Sequence, residues 1–329
     1  MLRFIIRRLA LFIPTLFAIS LVAFSLIQLP PGDYVTVYTL QLESSGQEVS
    51  AQLLDALRAR YGLDQPLVGQ YFRWIKNILF YGDFGQSMQW NRPVSDLIWQ
   101  RLLWTIVLSL FTLVFTWIVA FPIGIYSATH QYSVFDYVFT FIGFFGQAVP
   151  GFLFALVLMW IGYSVFGADI GGLFSEQFRS ASWSFAKFID MLKHLWIPVI
   201  VLGSAGTAGL IRTMRANLLD ELRKPYVVTA RSKGMKEWQL IWKYPVRVAL
   251  NPFISGIAYV LPGLISGSTI ISVVLSLPTT GPLMLRALMS QDMYLAGSFL
   301  LLLSSLTVLG TFISDILLAW VDPRIRLGQ

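Results

Sequence analysis

Apolar residues gather along this chain in six runs, about 9–29, 102–128, 135–166, 196–211, 248–276 and 296–320, with most charged residues in the stretches between them. Most of the runs reach the roughly 20 apolar residues that carry a helix across the hydrocarbon of a bilayer. The pattern predicts an all-α membrane protein with six transmembrane helices. The fourth run is short and holds Gly203, Gly206 and Gly209, which leaves its cytoplasmic end open. The first run follows Arg3, Arg7 and Arg8 and ends at the turn-forming Pro30-Pro31-Gly32-Asp33. It is longer than the roughly 7–15-residue core of a signal peptide and no small-residue cleavage site follows, so it reads as a retained first span.

The segments between the runs set the orientation. Residues 212–247 carry nine Lys or Arg (Arg212, Arg215, Arg223, Lys224, Arg231, Lys233, Lys236, Lys243, Arg247) against Asp220, Glu221 and Glu237. Such an excess marks the cytoplasmic side. Residues 30–101 hold seven acids and six bases, and 167–195 hold three of each, as external segments do. The short 129–134 connection fits inside. An even number of spans then places both termini in the cytoplasm, in agreement with Arg324 and Arg326. Within 30–101, Leu53, Leu54, Leu57 and Tyr61 fall at helical spacing, and Gly82-Asp83-Phe84-Gly85 signals a turn. The organisation predicted is an N-terminal transmembrane helix (1–29), a small helical external subdomain (30–101) and a five-helix core (102–329). A second external helix is expected around Ser182–Leu195.

Composition narrows the function. With 56% hydrophobic and 12% charged residues, the chain is too apolar for an ordinary soluble enzyme. The net charge of +7 flanks membrane spans, so topology explains it better than nucleic-acid binding does. The absence of cysteine excludes disulfides, thiolate metal sites and a cysteine nucleophile. There is no G-x-x-x-x-G-K-[ST] phosphate loop. His130 and His194 are too far apart in sequence to suggest a metal pair, and no nucleophile has an adjacent base. Asp136 opens the third run and Asp315 lies in the last, too few carboxylates for the proton relay of an ion-coupled carrier. Pro14, Pro122, Pro150, Pro198, Pro252 and Pro262 sit within spans, either as kinks that shape a bundle or as points of flexure. The 11 Trp, 13 Tyr and 25 Phe fit interfacial belts and lipid-facing bulk. The spans are so uniformly apolar that no pore-facing position stands out.

One cytoplasmic stretch carries a sharper signal. Pro225 suits the first position of a helix, Tyr226, Thr229, Ala230 and Lys233 then share one face, and Gly234 ends it. A short helix of this kind fits a groove in a partner protein, or lies on anionic lipid.

The run Tyr226-Val227-Val228-Thr229-Ala230-Arg231-Ser232-Lys233-Gly234 resembles the coupling-helix motif of bacterial binding-protein-dependent ABC importers, in particular the dipeptide/oligopeptide/nickel permease branch. The resemblance covers nearly the whole chain. It includes Met1-Leu2-Arg3-Phe4-Ile5 with Arg7-Arg8-Leu9 and Ile13-Pro14-Thr15-Leu16, then Pro31-Gly32-Asp33. It continues through Arg60-Tyr61-Gly62-Leu63-Asp64-Gln65-Pro66-Leu67, Gln70-Tyr71, Trp74, Gly82-Asp83-Phe84-Gly85 with Ser87, Pro93-Val94, and Arg101 with Thr105. It ends in Asp322-Pro323-Arg324-Ile325-Arg326.

This likeness implies a type I ABC importer permease in the bacterial inner membrane, with the 30–101 segment periplasmic and a coupling helix at about 222–240. It implies a second homologous permease, two ATPase subunits that hold the ATP and Mg, and a periplasmic solute-binding protein; this chain itself would carry no cofactor and no catalysis. Coupling would fall to Tyr226, Thr229, Ala230, Arg231, Lys233 and Gly234. The chain departs from the pattern at Val228, where the broader motif has Glu. It departs again at Ser272, where peptide permeases usually have Glu, and at Pro278–Gly281, where they have Pro-Gly-Leu-Gly. Ser272, Pro278 and Gly281 are thus candidates for the translocation mouth. The expected cargo is a di- or oligopeptide; oligosaccharides, glycosides or nickel chelates are the alternatives, and an ion-coupled carrier or membrane scaffold is the alternative class.

Overall fold

The computed structural model describes residues 2–29, 32, 34–44, 50–61, 63–167, 171–257 and 260–321. These residues form sixteen helices, beginning with α1 (Leu2–Gln28), α2 (Tyr34–Ser44), α3 (Ala51–Tyr61), α4 (Leu67–Tyr81) and α5 (Val94–Thr129). Next come α6 (Val134–Ala148), α7 (Gly151–Phe166), α8 (Glu176–Arg179) and α9 (Phe185–Leu222). The short helices α10 (Pro225–Ser232), α11 (Glu237–Lys243), α12 (Pro245–Ala249) and α13 (Asn251–Gly256) follow. The last three are α14 (Val260–Val274), α15 (Thr280–Met289) and α16 (Met293–Val321). Among the described residues the only β-type pairing is an isolated bridge between Gln86 and Pro93. Helix throughout is what hydrocarbon demands, because every backbone polar group there must be satisfied within the segment.

Four described helices are long and apolar enough to cross a membrane: α1, α5, α9 and α16. A fifth appears if α6 and α7, bent by 102° at the break between them, count as one span. The unbroken third span expected over 135–166 is therefore divided. Pro150 disfavours helical backbone at Val149, and Pro150 itself, at φ −55° and ψ 127°, starts α7 rather than continuing α6. The fifth run, 248–276, is likewise not one helix. Pro245 and Pro252 each open a new short helix, and residues 258–259 lie outside the described residues. The 15 residues of α14 rise only about 22 Å, against about 30 Å of hydrocarbon.

The separate external helix expected around Ser182–Leu195 is instead the start of α9. That helix runs 38 residues without a break and absorbs the short fourth span as its middle. Ser184 caps it, its hydroxyl accepting from the Lys187 N–H at 3.2 Å. No Gly or Pro lies between Phe185 and Ile197 to stop it. At about 57 Å long, α9 overshoots the hydrocarbon at both ends. Its charged flanks, Lys187 to His194 on one side and Arg212 to Glu221 on the other, fall in those overhangs.

The chain divides into two compact units, one of residues 1–105 with 279–308 and the other of 106–278 with 309–329. In the first, Phe24, Tyr71, Trp74, Met88 and Met293 form a buried cluster. Phe24 meets the Tyr71 ring edge-on at 5.4 Å, and the Ser20 and Tyr71 hydroxyls lie 2.8 Å apart. Trp74 donates its indole N–H to Ser298 at 3.4 Å. Helix α3 occupies the stretch its leucine spacing predicts. The Gly82–Gly85 turn also forms: Gly82 takes φ 61° to end α4, and Asp83 accepts from the Gly85 N–H at 2.8 Å.

Asp292, fully buried at the start of α16, ties the loop after that turn in place. Its carboxylate accepts from Ser87 Oγ at 2.5 Å and from the Gln89 and Leu295 N–H groups at 3.2 and 3.3 Å. Burial pushes this carboxyl above its usual range, against the opposing pull of those hydrogen bonds. A carboxyl raised on folding stabilises most when protonated. Its contribution is complete below the unfolded value of about 4 and is lost as pH rises through the raised folded value. The thermal midpoint of the purified protein is expected to fall across that window, and Asp292→Asn to flatten the slope. An unchanged slope in the variant would rule out Asp292 as its source.

In the second unit α9 is central and packs on α6, α7, α10, α12 and α14. Met214, Leu218, Val246 and Phe253 are buried together, with Phe121 meeting the Phe253 ring edge-on at 4.8 Å. Two glycines allow the closest approaches. A Cβ at Gly124 would stand 2.6 Å from Met214 Cβ, and one at Gly203 would stand 2.5 Å from the Phe115 ring. Small residues at such crossings are how helices pack closely in a bilayer.

Candidate coupling surface and solute cavity

Leaving α9, the chain turns at Arg223 and Lys224, and Pro225 opens α10 at the position where its missing N–H costs nothing. Val227 and Ala230 are buried against Leu240 of α11, with Met235, Ile241 and Tyr244 around them. Gly234, at φ 77°, makes the turn between α10 and α11. The segment read as one coupling helix over about 222–240 is therefore two short helices folded on each other.

Ala230 does not share an exposed face with Tyr226, Thr229 and Lys233. It faces inward at 9% exposure, while the other three are exposed. The exposed surface instead consists of Tyr226, Val228, Thr229, Arg231, Ser232 and Lys233. Tyr226 donates its hydroxyl to Glu221 and meets the Tyr244 ring at 6.3 Å. Thr229 donates back to the Pro225 carbonyl at 2.9 Å. Arg231 makes a two-pronged pair with Glu237, its second prong 3.2 Å long, which bridges α10 and α11. The Arg231 hydrogen bond and charge hold the Glu237 carboxyl below its usual range.

A second charged pair lies close to the lower half of α9. Asp136, at the start of α6, accepts from Arg215 at 3.0 Å and from the Tyr132 N–H at 3.0 Å. The Asp136 side chain is 4% exposed and that of Arg215 32%. Arg212, one turn earlier, donates to Gln147 at 2.9 Å and sits 5.3 Å from the Phe144 ring centre.

The three mouth candidates fall in different settings. Ser272, in the last turn of α14, is fully buried, and its hydroxyl finds no hydrogen-bond partner. Its carbonyl accepts from the Leu277 N–H at 2.8 Å, closing the turn that leads to the half-buried Pro278. Gly281 is buried in the first turn of α15, belonging to the other unit.

A cavity of about 440 Å³ opens within the second unit, walled by α5, α6, α7, α9 and α14. Its polar side chains are Thr112 and Thr116 on α5, Ser204 on α9 and Ser268 on α14; among the described residues that line it none is charged or aromatic. Ser204 spends its hydroxyl on the Val201 carbonyl at 2.9 Å, whereas the Thr112 hydroxyl, on a residue 6% exposed, has no partner among the described residues. The sequence reading missed these four. The only trace of them there is isolated hydroxyls inside apolar runs, two of them four residues apart.

Residues 120–327 match the family described as binding-protein-dependent transport system inner membrane component, and residues 1–110 match its N-terminal membrane component. The chain belongs to this family. The permease is 34% identical to the oligopeptide transport system permease protein AppB of Bacillus subtilis, over 98% of this chain and 99% of that protein. It is 32% identical to the dipeptide transport system permease protein DppB of Alkalihalophilus pseudofirmus, over 99% of this chain and all of that protein. It is also 32% identical to the oligopeptide transport system permease protein OppB of Haemophilus influenzae, again over 99% and 100% of the two chains. The permease thus matches these relatives over nearly their whole length; the stretch 322–326 lies outside the described residues.

Proposed function

We propose that this permease forms half of an import pathway for di- or oligopeptides, delivered by a periplasmic binding protein and driven by separate ATPase subunits. The observation that carries this reading is full-length similarity to permeases named for oligopeptide and dipeptide transport. The complete assembly has a second homologous permease and two ATPases. Six crossings are α1, α5, the bent α6–α7 pair, α9, the α12–α14 series and α16. Both termini and α10–α11 lie in the cytoplasm, and residues 30–101 lie in the periplasm, an orientation supported by the Lys and Arg excess at 212–247. Because the natural chain has no cysteine, single-cysteine labelling reads this topology directly. A cysteine at Gln89 is expected to react from outside, and one at Ser232 only after the membrane is opened; the reverse pattern would invert the topology.

The α10 surface is the seat for the ATPase. An exposed aromatic with flanking bases, held on a short helix braced by α11, suits insertion into a groove. Tyr226→Ala is expected to lower transport-coupled ATP hydrolysis about tenfold, as loss of a buried aromatic anchor does, while membrane insertion stays normal. Wild-type coupling in that variant would sink the seating. The peptide assignment itself is tested by purifying the complex in mild detergent, reconstituting it with its binding protein, and measuring uptake of labelled di- and oligopeptides. ATP-dependent peptide uptake is the expected result. Uptake of sugars alone would favour the oligosaccharide reading, for which the departures at Ser272 and Pro278–Gly281 speak.

A further inference from the structure

We propose that the 440 Å³ cavity is this subunit's share of the solute path, and that Thr112 is its recognition residue, hydrogen-bonding the main-chain amides of a passing peptide. The inference rests on the peptide reading above and deepens it.

Position, size and chemistry agree. Thr112 and Thr116 lie in the middle of the apolar stretch of α5, and Ser204 lies in that of α9, so the cavity sits at hydrocarbon depth. Its volume falls within the roughly 300–1,000 Å³ of small-ligand sites. At that depth a hydroxyl left without a partner is destabilising while no water replaces the missing bond. The Thr112 hydroxyl is such a group: it is buried, has no partner among the described residues and lines the cavity. A solute or water entering the cavity supplies the missing bond.

The lining also indicates the class of solute. Peptides share one feature, the amide backbone, and differ in the charge and size of their side chains. A wall of hydroxyls, glycines and aliphatic side chains offers bonds to the backbone and neither attracts nor repels either sign of charge. It holds the solute weakly, which passage requires, since a site on a path must be left as readily as it is entered. Among the described residues of the lining none offers the aromatic platform on which a sugar ring would stack. Selection among peptides would then fall to the binding protein.

Gly206 provides the test. It lines the cavity, and a Cβ added there meets nothing within 4 Å, so a larger side chain grows into open space rather than into a neighbouring helix. In the reconstituted complex, Gly206→Phe is expected to reduce uptake of dipeptides at least about tenfold, a loss of roughly 1.4 kcal/mol or more of transition-state stabilisation. ATP hydrolysis stimulated by the loaded binding protein should persist. Gly206→Ala, which favours helix, controls for folding and should accumulate in the membrane like the wild type. Thr112→Val is expected to slow uptake several-fold, equally for cationic, neutral and anionic dipeptides, and Thr112→Ser to restore it. Wild-type uptake in Gly206→Phe would overturn the cavity as the path. Unimpaired uptake in Thr112→Val, or a loss confined to one peptide charge, would overturn the role of Thr112. Absence of peptide uptake by the wild-type complex would instead overturn the peptide reading, and with it amide recognition.

Discussion

Replacing Asp136 with alanine is expected to cost about 1–3 kcal/mol of stability, because its buried carboxylate satisfies polar groups that would then lose their acceptor. Arg215 would lose its carboxylate at 3.0 Å while its Nε already has no partner, and the Tyr132 N–H would lose its acceptor. The turn at 130–133 depends on that acceptor, since Tyr132 holds φ 61°, a backbone state that non-glycine residues adopt only when their surroundings impose it. The prediction is a sharply lowered thermal midpoint in detergent and reduced accumulation in the membrane. Asp136→Asn should fall between, since it keeps an acceptor for Tyr132 but gives up the charge. If Asp136→Ala melts with the wild type, the pair contributes nothing to the fold.

The second large effect is expected at Gly124. Even a methyl group there would lie 2.6 Å from Met214 Cβ and 3.2 Å from the Ile211 carbonyl oxygen, neither of which can swing aside. Met214 is fully buried, so the strain cannot be relieved toward lipid. Gly124→Ala is expected to cost about 1–3 kcal/mol through overpacking, and Gly124→Leu to force α5 and α9 apart and abolish a monodisperse peak in size-exclusion chromatography. The intrinsic helix preference runs the other way, favouring alanine over glycine by about 1 kcal/mol. A stabilised Gly124→Ala would therefore show that the close crossing does not constrain the helices.

The parts of the chain legible from sequence share a physical reason: their signals are local. The leucine spacing that marks α3, the proline that opens α10 and the glycine that turns the chain at 234 act within a few residues. The termini of α9 were harder. Its charged ends resemble loops in composition, yet nothing in them breaks a helix, and polarity alone does not end one that extends past the membrane. The bend at Pro150 was visible as a proline but not as a break, because spans elsewhere keep Pro122 and Pro198 inside unbroken helices. Ala230 was misplaced because the helix face buried on α11 could not be known before α11 was seen to fold back. Thr112 and the Asp136–Arg215 pair depend on contacts between residues distant in sequence, 79 positions apart for the pair. No window along the chain contains them.

The continuity of α9 has one more consequence. From Ser204, in the cavity wall, to Leu222, where the chain turns into α10, the helix contains no proline and no break. That stretch of 19 residues spans about 27 Å as one unbroken helix. A tilt of about 10° applied at the α10 end displaces one end relative to the other by about 5 Å. With the ATPase seated on α10 as proposed, movement there would reach the cavity wall along this helix without a relay of side-chain rearrangements. On that proposal, one continuous helix joins the coupling surface to the cavity wall.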